Sequence, residues 1–256
     1  MALLQLSNVR KAFGGLVAVN DLSFELDPGS IVAMIGPNGA GKSTVFNLVT
    51  GIYGLSSGSI VFDGRQLAGL STSRIAALGV ARTFQNIRLF AFMSALDNVM
   101  TGRHARMHAS LLDALVHTPS ERQEERRVRE RARELLAFVS LDNVENSYAR
   151  NLPYGGQRRL EIARALASDP KLLLLDEPAA GMNPREKDAL VALIGKIRDS
   201  GVTVFLIEHD MALVMSVSER VTVLDHGEKI AEGKPEAVRR DERVIEAYLG
   251  RADGAA

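Results

Sequence analysis

Gly36-Pro37-Asn38-Gly39-Ala40-Gly41-Lys42-Ser43-Thr44 fits the pattern G-x-x-x-x-G-K-[ST] without a mismatch, and its flanks say what fold it belongs to. Before it, Ile31-Val32-Ala33-Met34-Ile35 is a continuous apolar run bounded by Gly29 and Gly36, the pattern of a strand buried in a parallel sheet. After it, Val45, Phe46, Leu48 and Val49 fall at helical spacing. Glycines let backbone N–H groups close on phosphate oxygens with no Cβ in the way. Lys42 offers a point charge to the β- and γ-phosphates, and Ser43 is placed to put its hydroxyl on Mg²⁺. The helix that starts here turns the positive end of its dipole to the same anion. The alternative is a glycine-rich turn with a stray lysine; the strand and helix on either side argue against it.

The 256 residues suit one or two domains and a large buried core. Lys+Arg and Asp+Glu are both 31, so no global field argues for nucleic acid or acidic lipid as a partner. The absence of cysteine excludes disulfides, thiolate catalysis and zinc sites of the cysteine type. Met1 to Arg10 shows no basic segment followed by a long apolar core, so secretion is not expected. Apolar runs such as Leu172–Leu175 fall far short of the ~20 residues that span a bilayer. If the protein works at a membrane, another chain is expected to carry the spanning part.

From Leu3 to Leu26 near-alternating apolar residues flank Gly14-Gly15, which predicts an antiparallel sheet edge. Phe13 stands at that turn, where a flat ring can stack on a purine base, although aromatics in such places are commonly just packed. Ser59–Phe62 predicts a strand ending in a tight turn at Asp63-Gly64. After Thr83-Phe84-Gln85-Asn86, bulky apolar and basic residues mix from Ile87 to Met93. That mixture fits a domain seam or an exposed docking patch, with the seam as the default.

Glu121 to Val139 predicts a helix with Val128, Ala132, Leu135, Leu136 and Val139 on one face and Glu125/Arg129 and Arg126/Glu130 as i,i+4 pairs. Its glutamates interleave with its arginines, which favours a solvated face over an RNA contact. The block from about Ala95 to Ala149 has a helical, self-contained pattern. Leu172–Leu175, Val202–Ile207 and Val221–Leu224 are then strands separated by helical patterns, implying a mostly parallel sheet with ligand at its carboxyl edge. Glu242–Leu249 predicts a terminal helix, and Arg251 to Ala256 a frayed tail.

Leu172-Leu173-Leu174-Leu175 runs into Asp176-Glu177. Asp176, at the strand's end, is placed to hold Mg²⁺ opposite Ser43, as the second acidic element of phosphate-loop NTPases does. Glu177 points elsewhere and is free to accept a proton from water. An Asp-Glu pair alone is usually a solvated turn; four leucines in front and the phosphate loop upstream reverse that. His209 follows the strand that ends at Ile207-Glu208, near the expected γ-phosphate, and is a candidate to sense or position it.

Leu152-Pro153-Tyr154-Gly155-Gly156-Gln157-Arg158-Arg159-Leu160-Glu161-Ile162-Ala163-Arg164-Ala165-Leu166 resembles the signature segment of ATP-binding-cassette ATPases and the helix that follows it. The phosphate loop, Gln85 as the Q-loop glutamine, Asp176 with Glu177, and His209 as the switch histidine then align in the family's order over essentially the whole chain. Within the family the chain is similar to the ATP-binding subunits of high-affinity branched-chain amino acid importers, through Ala81–Phe90, the Tyr154-Gly155 signature, Gly181-Met182-Asn183-Pro184 and Val244–Gly250. It departs from the general Leu-Ser-Gly-Gly-Gln signature: Pro153 stands in the serine position, Tyr154 replaces glycine and Gly156 replaces glutamine. Asn183 replaces the usual D-loop aspartate, and Phe13 the common tyrosine.

The resemblance implies an α/β fold: a P-loop NTPase core with a mostly parallel sheet, an N-terminal antiparallel β subdomain and an inserted helical subdomain. The whole of 1–256 is one cassette, with 1–90 and 160–256 forming the core and β subdomain, and 91–159 the helical subdomain that carries the signature. It implies ATP and Mg²⁺ as ligands, with Ser43, Gln85 and Asp176 around the metal, and Phe13 and Gly36 to Thr44 around the nucleotide. Glu177, His209 and Lys42 are the implied catalytic residues. Pro153, Tyr154, Gly155, Gly156 and Gln157 would meet the ATP of a second ATPase subunit, itself or a paralogue. Membrane permease subunits, and through them an extracytoplasmic solute-binding protein, are the other implied partners, at the cytoplasmic face of the membrane and without nucleic acid. An exporter or lipopolysaccharide-type ATPase, or a soluble cassette protein, is the alternative.

Overall fold

A computed structural model of the chain describes residues 2–103 and 119–249. The middle of the expected helical block and the expected frayed tail lie outside the described residues. β1 (Leu4–Phe13) and β2 (Leu16–Leu26) form the predicted hairpin, joined by β4 (Ser57–Phe62) and β5 (Arg65–Gln66) in an antiparallel sheet of order β2-β1-β4-β5. Asp63 and Gly64 both take positive φ, 48° and 73°, as the two-residue turn between β4 and β5 requires.

The second sheet has six strands: β10 (Glu228–Gly233), β9 (Arg220–Asp225), β3 (Ile31–Ile35), β8 (Thr203–Ile207), β7 (Leu172–Asp176) and β6 (Val80–Arg82), in that order. All neighbours are parallel except β9 and β10. The short apolar runs explain this: β3, β7 and β8 are buried at every residue, because both faces are covered. On one face Val32, Met34, Leu172, Leu174, Phe205 and Ile207 pack with the antiparallel sheet and with helix α1 (Lys42–Val49). On the other, Ala33, Leu173, Leu175, Val204 and Leu206 pack against helices. At the centre of the first layer, Phe205 meets Phe46 of α1 at 5.0 Å and Phe24 of β2 at 5.5 Å between ring centroids.

The helical side comprises α3 (Ala95–Gly102), α4 (Pro119–Phe138), α5 (Tyr154–Leu166) and α6 (Pro184–Asp199), with α2 (Thr72–Leu78) leading into β6. In α4, Val128, Ala132, Leu135 and Leu136 are buried as their spacing predicts. Of the two expected surface pairs, Glu125–Arg129 closes at 3.1 Å. Arg126 and Glu130 form no ion pair within 4 Å among the described residues; exposed pairs of this kind are worth only about 0.3–0.5 kcal/mol, too little to hold two long side chains together. α5 runs unbroken through residues 159 and 160, so the boundary expected there does not coincide with the end of an element. Among the described residues no helix is long and apolar enough to cross a membrane.

Candidate functional site

The phosphate loop leaves β3 at Gly36 and enters α1 at Lys42. Two of its glycines are forced by their neighbours. Gly36 has φ +150°, and a Cβ there would lie 2.1 Å from the Leu224 carbonyl oxygen; Gly41 has φ +101°, and a Cβ would lie 2.4 Å from the Ala18 carbonyl oxygen. Gly39 has φ +84° and faces open space, so the concavity itself is bare. No side chain caps α1 and no acid sits in its first turn, which leaves its leading N–H groups for a ligand. Lys42 arches across the loop and donates to the carbonyls of Gly36, at 2.7 Å, and Pro37, at 2.9 Å. Burial pushes its amine below the usual lysine range, against the fields of Glu177 and Asp176. Bare backbone donors around a partly desolvated cation fit a polyphosphate.

At the end of β7, Asp176 continues the face of Leu172 and Leu174 and so points toward α1, since side chains alternate along a strand. It is buried, and its charge partner is Arg82, at 2.8 Å. Glu177 follows in the left-handed conformation, φ 46°, which for an L-residue costs about 1–2 kcal/mol. Its amide is secured to the carbonyl of Ile207 at 2.9 Å. Gln85 donates its amide to Glu177 Oε2 at 2.9 Å, and His209 Nδ1 stands 3.8 Å from the same oxygen. The fully buried Glu208 ties the two loops together: it accepts from the Ala179 amide at 2.8 Å and the His209 amide at 3.1 Å.

Three of the sequence-predicted residues, Gln85, Glu177 and His209, thus converge from three segments. Gln85 rests on Glu177, one residue beyond Asp176. Among the described residues no group of three or more His, Cys, Asp or Glu could hold a metal. A cation here would need Ser43, Asp176 and the oxygens of a bound phosphate together, a hard-oxygen set that fits Mg²⁺.

Phe13 ends β1 with its ring 42% exposed; Tyr53 meets it edge-on at 5.1 Å, and the Lys11 amine lies 4.8 Å from its centroid. The hairpin that carries it abuts the phosphate loop through Ala18 and Gly41.

Pro153 is the N-cap of α5, with no side-chain cap and no acid in the first turn. A Cβ at Gly155 would lie 2.4 Å from Glu186 Oε1, and Gln157 folds back to donate to the Leu152 carbonyl at 2.9 Å. The Tyr154 ring lies against Gly181. Asn183 and Glu186 cap α6 reciprocally, at 3.1 and 3.0 Å. The cleft in front of Pro153, Gly155 and Gly156 is completed by Asn183 and Glu186 and includes no phosphate-loop residue.

Two residues of α5 escaped the sequence analysis. Arg158, fully buried, donates to the carbonyls of Phe84 at 2.7 Å and Gln85 at 2.8 Å and pairs with Glu161 at 3.0 Å. Glu161 in turn accepts from the Arg88 amide at 3.3 Å; burial pushes its carboxyl above the usual range, and Arg158 opposes that. Their i,i+3 spacing beside Leu160, Ile162 and Ala163 is the available signal; the tandem Arg158-Arg159 hides which arginine points inward. Between α2, α3, α5 and β6 a cleft of about 440 Å³ is lined by Arg82, Phe84, Phe90, Glu161 and Arg164, among others.

The ABC transporter family model matches residues 19–180, and a model described as branched-chain amino acid ATP-binding cassette transporter matches 228–254. The chain is 48% identical over 251 residues to the high-affinity branched-chain amino acid transport ATP-binding protein BraF of Pseudomonas aeruginosa, covering 98% of both chains. It is 45% identical, with the same coverage, to the corresponding protein LivG of Escherichia coli. Among solved structures, the ADP conformation of an ATP-binding cassette of an ABC transporter superposes with a TM-score of 0.86 at 30% identity, over 98% of this chain and 99% of that one. With the phosphate loop, the acidic strand end and the signature helix in the same order along the chain, these likenesses establish that the protein belongs to the ABC transporter family, as one of its ATP-binding-cassette ATPases.

Proposed function

We propose that the chain is the ATP-hydrolysing subunit of an importer for branched-chain amino acids. It would lie peripherally at the cytoplasmic face of the membrane against permease subunits, which receive substrate from an extracytoplasmic binding protein. The relatives' function and the match at 228–254 support the substrate class over an exporter or a soluble cassette protein. The observation that carries the catalytic assignment is the convergence of Gln85 and His209 on one oxygen of Glu177.

Lys42, the bare loop amides from Gly36 to Thr44 and the N-terminus of α1 hold the phosphates, and Phe13 stacks on the base. Ser43 and Asp176 hold Mg²⁺, with Gln85 alongside; when bound, the ion supplies charge neutralisation to the transferring phosphoryl group. Glu177 Oε1, which has no hydrogen-bond partner among the described residues, takes a proton from the attacking water as the bond from the γ-phosphorus to its bridging oxygen breaks. Gln85 and His209 keep the carboxylate oriented, and His209 reaches on to the γ-phosphate.

The signature residues Pro153 to Gln157 act on the ATP of a second subunit. The cleft they line lacks any phosphate-loop residue of its own chain, which supports a site completed by two chains. With Pro153 in place of a serine, the α5 N-terminus and the Gly155 amide carry that contact. The cassette divides into the core with its β subdomain (1–90 and 160–256) and the helical subdomain (91–159), with α5, unbroken across that boundary, joining the two. The cleft beside Phe84 and Phe90 is the surface for the permease.

The test is Mg²⁺-dependent ATP hydrolysis as a function of protein concentration, with Glu177→Gln as control. A rate that rises faster than linearly and falls by at least about 10²-fold in the variant, while ATP binding is kept, supports the reading. Undiminished hydrolysis in Glu177→Gln refutes Glu177 as base. A strictly linear dependence refutes self-assembly of the site and leaves a paralogue as the partner.

A further inference from the structure

Arg82 is the last residue of β6 and pairs in register with Leu174, two residues before Asp176 on the same face of the adjacent strand. Its guanidinium is held like a strut. Nη2 donates to Asp176 Oδ2 at 2.8 Å and Nη1 to Asn47 Oδ1 at 2.7 Å, while the Phe46 and Phe84 rings flank it at 5.4 and 5.3 Å. The side chain is 9% exposed, and Nε is buried with no partner among the described residues. Asn47 stands one helical turn after Ser43 on the same face of α1. One fork therefore spans from the helix that carries Ser43 to the acid at the sheet's edge. Lys42 acts on Asp176 only through its field: its amine donates to the Gly36 and Pro37 carbonyls, and the direct ion pair of Asp176 is with Arg82.

A carboxylate as buried as Asp176 is costly without a paired charge. We propose that Arg82 is the built-in counter-ion of Asp176: it neutralises the buried carboxylate before a divalent cation arrives, and so sets how much cation the site requires. This rests on the reading of Asp176 as a cation ligand. The physical consequence has a definite sign. A fixed positive charge beside the carboxylate weakens the hold on a divalent cation, so removing it strengthens that hold.

The experiment is calorimetric titration of ADP into the full chain over a range of Mg²⁺ concentrations, which needs no turnover. In Arg82→Met, whose unbranched side chain keeps contact with both rings, the Mg²⁺ needed for half-maximal strengthening of ADP binding falls about tenfold. Arg82→Lys keeps the positive charge and so lowers the requirement less than Arg82→Met does, although an ammonium cannot span Asp176 and Asn47 as the fork does. An unchanged or higher Mg²⁺ requirement in Arg82→Met overturns the proposal, as does an Arg82→Lys variant that shifts as far as Arg82→Met. Arg82→Gln replaces the methionine variant if that protein does not unfold cooperatively. Asp176→Asn separates the two readings: it loses the Mg²⁺ dependence if Asp176 holds the cation, and if the dependence persists, the site assignment fails whatever Arg82 does.

Discussion

Arg158→Ala tests how the signature helix is joined to the Q-loop. The guanidinium is fully buried and satisfies four acceptors: Glu161 at 3.0 Å, the Phe84 and Gln85 carbonyls at 2.7 and 2.8 Å, and the Tyr154 hydroxyl at 3.2 Å. Removing one partner of a buried ion pair costs about 3–5 kcal/mol. A carbonyl left without its donor costs about 1–3 kcal/mol, but the two penalties overlap because they count much of the same desolvation. We expect a loss of about 4 kcal/mol, a large part of the ~5–15 kcal/mol available to a domain. Urea unfolding followed by circular dichroism measures it. The double variant Arg158→Met/Glu161→Leu swaps the pair for apolar volume and should recover at least half of the loss. Its ATP hydrolysis should stay depressed, because Phe84 and Gln85 still lack their anchor. A cost below about 1 kcal/mol for Arg158→Ala would refute the argument, as would a double variant with normal turnover.

The phosphate loop separates shape from binding: Gly36→Ala drives a Cβ into the Leu224 carbonyl and should unfold at markedly lower urea, whereas Gly39→Ala meets open space and should fold with a loss of about 1–2 kcal/mol while ATP affinity falls. Equilibrium unfolding and nucleotide titration on the same samples distinguish the two. Asp210 caps α7 (Met211–Val217) through the Ala212 and Leu213 amides and bonds Lys187 at 2.5 Å, which holds its carboxyl below the usual aspartate value of 3.8. A folded-state value below the unfolded one stabilises above pH 3.8, and that stability is lost as pH falls through the depressed value. The melting-temperature deficit of Asp210→Asn should therefore be full at neutral pH and shrink on acidification; a deficit independent of pH would show that the charge is not what matters.

Much of this protein was legible in its residues because the decisive signals are local. The phosphate loop, the apolar runs of β3, β7 and β8, and the acids after Leu175 declare themselves by neighbours in the chain, since a strand buried on both faces must be apolar throughout and a phosphate cradle must be bare backbone. The terminal helix Glu242–Leu249 follows from its pattern with the predicted bounds. What tertiary structure alone decided are the pairings between segments far apart in sequence. Asp176 and Glu177 are adjacent, yet strand alternation and the left-handed turn at Glu177 send one to Arg82 and the other to Gln85 and His209. Arg158 and Arg159 are likewise adjacent, and only the packing of α5 against the Q-loop shows that Arg158 is the buried one. The spacing of charged side chains along a helix does not say which of them is buried. Where they go depends on which buried carboxylates and carbonyls the folded chain brings within their reach.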